Sequence, residues 1–348
     1  ARHSALQVEL LTLPARFWKW RMHGAAATLA ESVRQLDFQP DVILASDMLN
    51  LPAFLGFTRD ILADVPVLLY FHENQLTYPL QPGEKRDLTY GMINWTSMLA
   101  ADRVAFNSAY HMEAWLEELP RLLKHFPDCS HMPLVPAVRE KSVVLPVGCS
   151  LERLDAGRSE TAAQAGAAEV PVILWNQRWE YDKAPEVFLQ ALNVLAEEGV
   201  PFQVVLAGDS VRLTANEFEA ARKRLGERVI HYGWADAEAY PRLLWQADVV
   251  VSTALHEFFG ISVVEAIYCG CLPLLPRRLV YPEVIPEGRH EVCLYDDFED
   301  LLGRLRWALT NVGEAQKSAR GLREAVARYD WASMAPRYDE ALRELMQG

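Results

Sequence analysis

No uninterrupted apolar run in the chain reaches the ~20 residues that cross a bilayer. Its start, Ala1-Arg-His-Ser, does not read as a secretory leader. A cytoplasmic protein with no membrane partner is expected. Cysteine is scarce, with five residues at 129, 149, 269, 271 and 293, an odd number without metal-ligand spacing. Cys269-Gly-Cys271 is flanked by Ala266, Ile267 and Leu272, an apolar setting typical of core thiols, so reduced structural cysteines are expected. Positive charge is short as well. With 34 Lys and Arg against 47 Asp and Glu, the formal charge of −13 argues against loose, sequence-independent binding of nucleic acid. A local basic groove remains compatible with it.

What is present is a large apolar complement: 51% hydrophobic against 23% charged residues supplies an ample core and excludes disorder. At 348 residues the size favours two domains. Apolar runs that end in polar or turn residues recur at Val8 to Leu13, Val42 to Ser46, Val67 to Phe71, Val104 to Asn107 and Val143 to Pro146. Amphipathic stretches such as Gly24 to Leu36 and Ala109 to Leu123 lie between them, which predicts strand and helix in alternation. From Glu152 to Glu169 the chain is small and polar without apolar period, and reads as a linker. A second series follows at Val172 to Trp175, Gln203 to Ala207, Arg228 to Tyr232, Val249 to Ser252, Leu272 to Leu275 and Val292 to Tyr295. The expectation is an α/β protein with two Rossmann-like doubly wound domains facing a central cleft: 1–150, a linker over 151–170, 171–330, and a terminal helix over 331–348.

Three constellations carry the chemistry. His256-Glu-Phe-Phe-Gly-Ile-Ser-Val-Val-Glu-Ala266 sets two glutamates eight positions apart, across a Gly260 turn and the start of a helix at Ile261. Backbone amides there attract phosphate or carboxylate, and Glu265 can accept from two sugar hydroxyls. The same pattern fits a glutamate that only complements the helix dipole. Arg178 and Lys183 stand on a short loop after the first strand of the second half, where guanidinium and ammonium can share the charge of a diphosphate, or simply pair with Glu180 or Asp182. In Phe71-His-Glu-Asn-Gln-Leu-Thr-Tyr-Pro79 a buried strand ends abruptly in His72, Glu73, Asn74 and Gln75, with Tyr78 close behind. That carboxyl edge is where open α/β sheets bind ligands. Asp47 to Asn50 and Asn107-Ser108 also end strands, where they fit either a contribution to the same cleft or, as the favoured reading, helix caps. Asp296 to Asp300 reads as a solvated turn and helix start.

Two Rossmann-like halves, the Arg/Lys loop and the E-x7-E pair at Glu257 and Glu265 together resemble the retaining GT-B glycosyltransferases of family 4. Within that class FHENQLTYP, the segment Thr12 to Gly24, Asp87 to Gly91 and Val104 to Ser108 resemble the tRNA-queuosine α-mannosyltransferases. The resemblance implies transfer of mannose from GDP-mannose to queuosine at the wobble position of aspartate tRNA, with no metal required. Carried over by position, Arg178 and Lys183 hold the diphosphate, Glu265 the ribose, and Glu257 with Gly260, Ile261 and Ser262 the donor sugar and phosphates. His72 faces the anomeric carbon as a catalytic group beside Glu257. Glu73, Asn74, Gln75 and Tyr78 are the acceptor-side candidates. Members of the family begin with a strand and a glycine-rich, His-containing loop, whereas this sequence reaches Val8 almost at once, so a first sheet one strand short is expected.

Replacing Arg178 or Lys183 by alanine is expected to cut turnover with little loss of folding. Arg16, Lys19, Arg21 and His23 interleave with Phe17, Trp18 and Trp20, a pattern that suits RNA phosphates and bases or, equally, an aromatic anchor with solvated charges. Two other functions compete: a GT-B transferase acting on a small molecule, lipid or saccharide, and a non-catalytic nucleotide-sugar-binding protein. The oligomeric state is not written in the sequence.

Overall fold

The structure is a computed structural model that describes residues 2–14, 16–81, 83–125, 127–158, 170–209 and 215–347. It divides into two units, Ala1–Val147 with Met334–Gly348, and Gly148–Ser333.

The first unit holds a four-stranded sheet in the order β1 (Ile43–Ser46), β2 (Val67–Phe71), β3 (Arg103–Phe106), β4 (Ser142–Val144). Every pairing is parallel, so the carboxyl ends of all four strands share one edge. β2 is buried along its whole length, as an inner parallel strand covered on both faces must be, whereas the edge strand β1 leaves Leu44 exposed. Val8 to Leu13, expected as a strand, forms none. Leu11 packs against the core while Val8 and Leu10 stay exposed. An apolar run becomes a strand only where a neighbour takes its backbone hydrogen bonds.

The core of this unit is aromatic, with Phe71 stacked on Phe106 at 4.9 Å and Trp115 edge-on to Phe71 at 5.7 Å. Fully burying each such side chain stabilises by about 1.5–3 kcal/mol. Helices start where side-chain oxygens take their first amides: Asn50 accepts from Ala53, Asp87 from Thr89 and Ser108 from His111. The terminal helix Trp331–Gln347 contributes its residues from Met334 onward, and buried Asp339 accepts from Ser4 Oγ at 2.5 Å and the Ala5 amide at 2.7 Å. That carboxylate ties the beginning of the chain to its end.

The second unit holds a six-stranded parallel sheet in the order β10 (Leu294–Tyr295), β9 (Leu272–Pro276), β8 (Val249–Val251), β5 (Val172–Trp175), β6 (Gln203–Ala207), β7 (Val229–Gly233). From β5 the chain runs outward through β6 and β7, then returns to the other side of β5 as β8 and runs outward again. The loops after β5 and β8 therefore diverge, which makes a topological switch point, the place where open α/β sheets leave a crevice for a ligand. Trp175, at the end of β5, is fully buried and stacks on Phe188 at 4.6 Å, anchoring the strand at the switch point.

Of the segment read as a linker, Glu152–Asp155 forms a turn of 3-10 helix with Leu154 buried, and 159–169 lie outside the described residues. The last expected strand, Val292 to Tyr295, is half helical turn; only Leu294 and Tyr295 pair with β9. Asp297 caps the helix Phe298–Thr310 by accepting the Asp300 amide, so the acidic cluster is a helix start. Cys149, Cys269 and Cys293 are buried, and burial pushes each thiol up to about 12. Cys271 is buried too, while Cys129 is exposed. No described helix is long and apolar enough to cross a membrane.

Candidate active site

The loops after β5 and β8 are knitted together by backbone first. Leu255 and His256 donate their amides to the Asp182 carbonyl, and Thr253 Oγ1 donates to the carbonyls of Lys183 and Ala184 at 2.8 and 2.9 Å. Ala184 takes a left-handed conformation, φ 44°, which turns the chain into Pro185 and the helix Pro185–Glu197. Lys183 is thereby drawn inward. Its Nζ lies 2.9 Å from the His256 carbonyl, 3.1 Å from Asp182 Oδ2 and 3.2 Å from Glu257 Oε2, and the residue is only 7% exposed. Burial works against this ammonium, but Glu257 and Asp182 together outweigh it and hold the pKa above the ordinary lysine value.

The surface ion pair considered for Lys183 is therefore corrected to a buried one that crosses the switch point. Losing Lys183 would leave Asp182, 1% exposed, buried without its ammonium, an argument against the expectation that folding stays intact. Arg178 differs. Its side chain is 58% exposed, with Nη1 3.2 Å from Glu180 and Nη2 3.9 Å from Asp182, so both cations gather around Asp182 but only the guanidinium faces solvent.

Glu257 folds back on its own loop. Its Oε1 accepts from the amides of Phe258, Phe259 and Gly260 at 3.1, 3.3 and 3.0 Å. Gly260, at φ 81°, is the left-handed residue that starts the helix Ile261–Tyr268, a conformation that favours glycine. The Gly260 amide is thus engaged by Glu257. The amides of Ile261 and Ser262, which open the helix, have no partner within it.

Glu265 is buried on the same helix, past its first turn, so it does not serve the helix dipole. Its Oε1 pairs with Arg153 at 2.6 Å and its Oε2 accepts from Tyr240 at 2.8 Å. Burial, then Glu265, raises the Tyr240 phenol well above its usual range, which keeps it a donor. Asn176 Nδ2 completes the group, donating to Tyr240 Oη at 3.1 Å and to the Ser262 carbonyl at 2.7 Å.

In the first unit the register sets Ser46 beside Tyr70, so Asp47 and His72 leave adjacent strands side by side. Buried Asp47 accepts from the amides of His72 and Glu73 at 3.3 and 3.4 Å, and its Oδ1 lies 3.2 Å from His72 Nδ1. Nδ1 therefore carries the proton toward Asp47 when that carboxylate is ionised. Packing around the ring lowers the His72 pKa, but the Asp47 hydrogen bond and the charges of Asp47 and Glu73 prevail, and the net shift is upward. Asn107 Nδ2 donates to the His72 carbonyl at 3.2 Å. Arg86 donates to the carbonyls of Gln75 and Tyr78, fixing the rest of the loop.

Glu73, Gln75 and Tyr78 remain partly exposed. Asn74 does not. It is fully buried, with Oδ1 accepting from the Leu76 amide at 2.8 Å, so this expected acceptor contact is corrected to a residue that shapes the loop.

Three members of these networks escaped sequence reasoning as functional residues: Arg153, Asn176 and Tyr240. For Asn176 a signal existed, since it is a polar residue at the end of a strand. Among the described residues no group of three or more His, Cys, Asp or Glu side chains is placed to hold a metal ion.

Known proteins align with this architecture. A family model described as tRNA-queuosine alpha-mannosyltransferase N-terminal matches residues 1–149, and one described as Glycosyl transferases group 1 matches 158–325. The chain is 36% identical over 283 residues to the tRNA-queuosine alpha-mannosyltransferase of Drosophila melanogaster, a match spanning 80% of this chain and 74% of that one. It is 23% identical over 364 residues to the GDP-mannose:cellobiosyl-diphosphopolyprenol alpha-mannosyltransferase of Komagataeibacter xylinus, spanning 93% and 90%. Among solved structures, sucrose-phosphate synthase from Thermosynechococcus elongatus superposes with a TM-score of 0.71 at 20% identity, covering 98% of this chain and 82% of that one. Anabaena HepE in complex with UDP superposes at 0.66 and 19%, covering 92% and 82%. The fold is that of the GT-B glycosyltransferases, and the chain belongs to the tRNA-queuosine α-mannosyltransferase family.

Proposed function

We propose that the protein transfers mannose from GDP-mannose, with retention at the anomeric carbon, to queuosine at the wobble position of aspartate tRNA. The observation that supports the donor half of this reading is the Lys183–Glu257 ion pair of 3.2 Å, which joins the two diverging loops of the switch point. Arg178 and the amides of Ile261 and Ser262 receive the diphosphate. Lys183 holds the Glu257 carboxylate, and Glu257 orients the Gly260 turn and the donor sugar. Glu265 takes the ribose. His72 faces the anomeric carbon, and Glu73, Gln75 and Tyr78 meet the acceptor.

In the transfer, the bond from the anomeric carbon to the diphosphate oxygen breaks as the acceptor oxygen bonds on the same face. The acceptor proton passes to the departing phosphate. Negative charge builds on the leaving group, and stabilising it by preoriented donors is the main catalytic contribution. A tRNA substrate places this work in the cytoplasm.

A panel of radiolabelled nucleotide sugars offered with tRNA that carries or lacks queuosine tests donor and acceptor together. Label from GDP-mannose should enter queuosine-containing tRNA alone. Transfer to a small saccharide or lipid in its place, or donor binding with no transfer, would overturn the reading.

A further inference from the structure

The start of α1 (Trp18–Val33), with the turn before it, leaves three large aromatic side chains in solvent: Phe17 at 74%, Trp18 at 48% and Trp20 at 62% exposure. Single exposed apolar residues need no explanation, but a cluster of this size marks a surface that meets something. Cations interleave with the rings. Arg16, Lys19, Arg21 and His23 occupy the same eight residues, and Lys19 Nζ lies 5.7 Å from the centre of the Trp18 ring. One acid, Asp87, stands near Lys19 and His23, which leaves the stretch an excess of positive charge on a protein of formal charge −13.

The platform is held from below. Met22, Tyr90 and Ile93 form a buried cluster, and Trp18 lies on Tyr90 with ring centres 5.1 Å apart. Arg21 Nε donates to the Arg16 carbonyl and closes the turn. The Trp20 ring lies over Gly24, where a β-carbon would come within 3.1 Å of it, so the glycine makes room for the indole. Met48 packs on the same cluster and directly follows Asp47, the residue that holds His72. Trp18 and the His72 turn thus share one end of the first unit.

We propose that residues 16–23 form the surface that holds the RNA flanking the modified nucleotide, with Trp18 and Trp20 as stacking platforms for unpaired bases and Arg16, Lys19 and Arg21 on phosphates. This rests on the reading of tRNA as the acceptor. Aromatic faces alternating with cations match the π-faces and phosphates of single-stranded RNA, which is how loops are recognised. A second copy of the chain or an anionic membrane would use the same exposed rings differently, and both are outcomes of the test.

Binding of queuosine-containing tRNA to the full chain would be measured by anisotropy across a salt series for wild type, Trp20→Ala, Trp20→Phe and the pair Arg16→Ala with Lys19→Ala. GDP-mannose affinity and thermal unfolding would be followed alongside. Trp20→Ala should weaken tRNA binding by about 5- to 150-fold, the range for loss of one stacked base, with most of it restored in Trp20→Phe. The double variant should lower the salt slope by about one per cation removed. Donor affinity and unfolding should not move. Unchanged tRNA affinity and salt slope in folded variants of a transfer-competent protein would overturn this proposal alone. So would variants that alter only self-association in sedimentation, or only binding to vesicles of anionic lipid. A wild type that neither binds nor modifies tRNA would overturn the functional reading, and this one with it.

Discussion

Replacing Lys183 by methionine keeps the aliphatic stem and removes the charge between Asp182 and Glu257. The two carboxylates are not left alike. Glu257 retains three backbone amides on Oε1. Asp182, 1% exposed, loses an ammonium at 3.1 Å and keeps only a guanidinium at 3.9 Å. Breaking a buried ion pair by removing one partner costs about 3–5 kcal/mol, a large share of the ~5–15 kcal/mol that holds a domain folded. At roughly 2–4 °C per kcal/mol for a unit of this size, Lys183→Met should unfold about 6–20 °C below wild type.

Arg178→Ala provides the contrast. A side chain 58% exposed forms ion pairs worth no more than about 1 kcal/mol, so unfolding should hardly shift, while loss of a donor to the departing diphosphate should lower turnover by about 100-fold or more. Adding Asp182→Asn to Lys183→Met removes the stranded charge, and should restore most of the unfolding temperature but not the turnover. The measurements are thermal unfolding and transfer to queuosine-containing tRNA on the same preparations. A Lys183→Met protein that unfolds at the wild-type temperature would refute the burial argument. A double variant that regains turnover would refute the role given to Lys183.

Asp47→Asn should lower the His72 pKa in a proton-resonance titration. The folded pKa lies above the unfolded ~6.5, so the stability this pair contributes is complete below that value and lost as pH rises through the folded pKa; the variant should lose that pH dependence, and an unmoved titration would exclude Asp47 as its cause. Arg153, with a side chain 47% exposed, must release Glu265 Oε1 if ribose is to take it, so Arg153→Met should tighten GDP-mannose binding by up to about fivefold at low salt. That gain should vanish with a 2′,3′-dideoxyribose donor, and a gain that persists would place ribose elsewhere. With Arg178 and the helix amides meeting the diphosphate as proposed, chelator should leave turnover unchanged, checked with the same transfer assay.

The strands were legible where burial on both faces makes a continuous apolar run, as in β2 and β5. Val8 to Leu13 satisfied the same local criterion and failed, because strand identity requires a neighbour and that is not a local property. The loop and helix that carry Glu257 and Glu265 were legible because they are contiguous in sequence. The pairs that tune the sites were not. Asp47 and His72 are 25 positions apart, and Arg153 and Glu265 112 apart; only sheet register and chain path bring them together. Asn74 shows the opposite failure, since a polar run after a strand does not say which side chain turns inward to close the loop.

The charge around the switch point changes what the two cations can be doing there. Arg178 and Lys183 lie among Glu180, Asp182 and Glu257, so before donor arrives the carboxylates outnumber the cations. Net charge cannot draw a diphosphate into such a site; only donors with a direction can. Lys183 Nζ lies within 3.2 Å of two carboxylates and the His256 carbonyl, and the residue is only 7% exposed. Its contribution is indirect: it holds Glu257 at 3.2 Å, and Glu257 gathers the amides of Phe258, Phe259 and Gly260 just ahead of the helix. The guanidinium of Arg178, held at the rim by Glu180 and reaching toward Asp182, is the cation in this group that a phosphate oxygen can approach without dismantling the loops. In the proposed reaction Lys183 therefore serves to build the site, and Arg178 with the helix start to bind the donor.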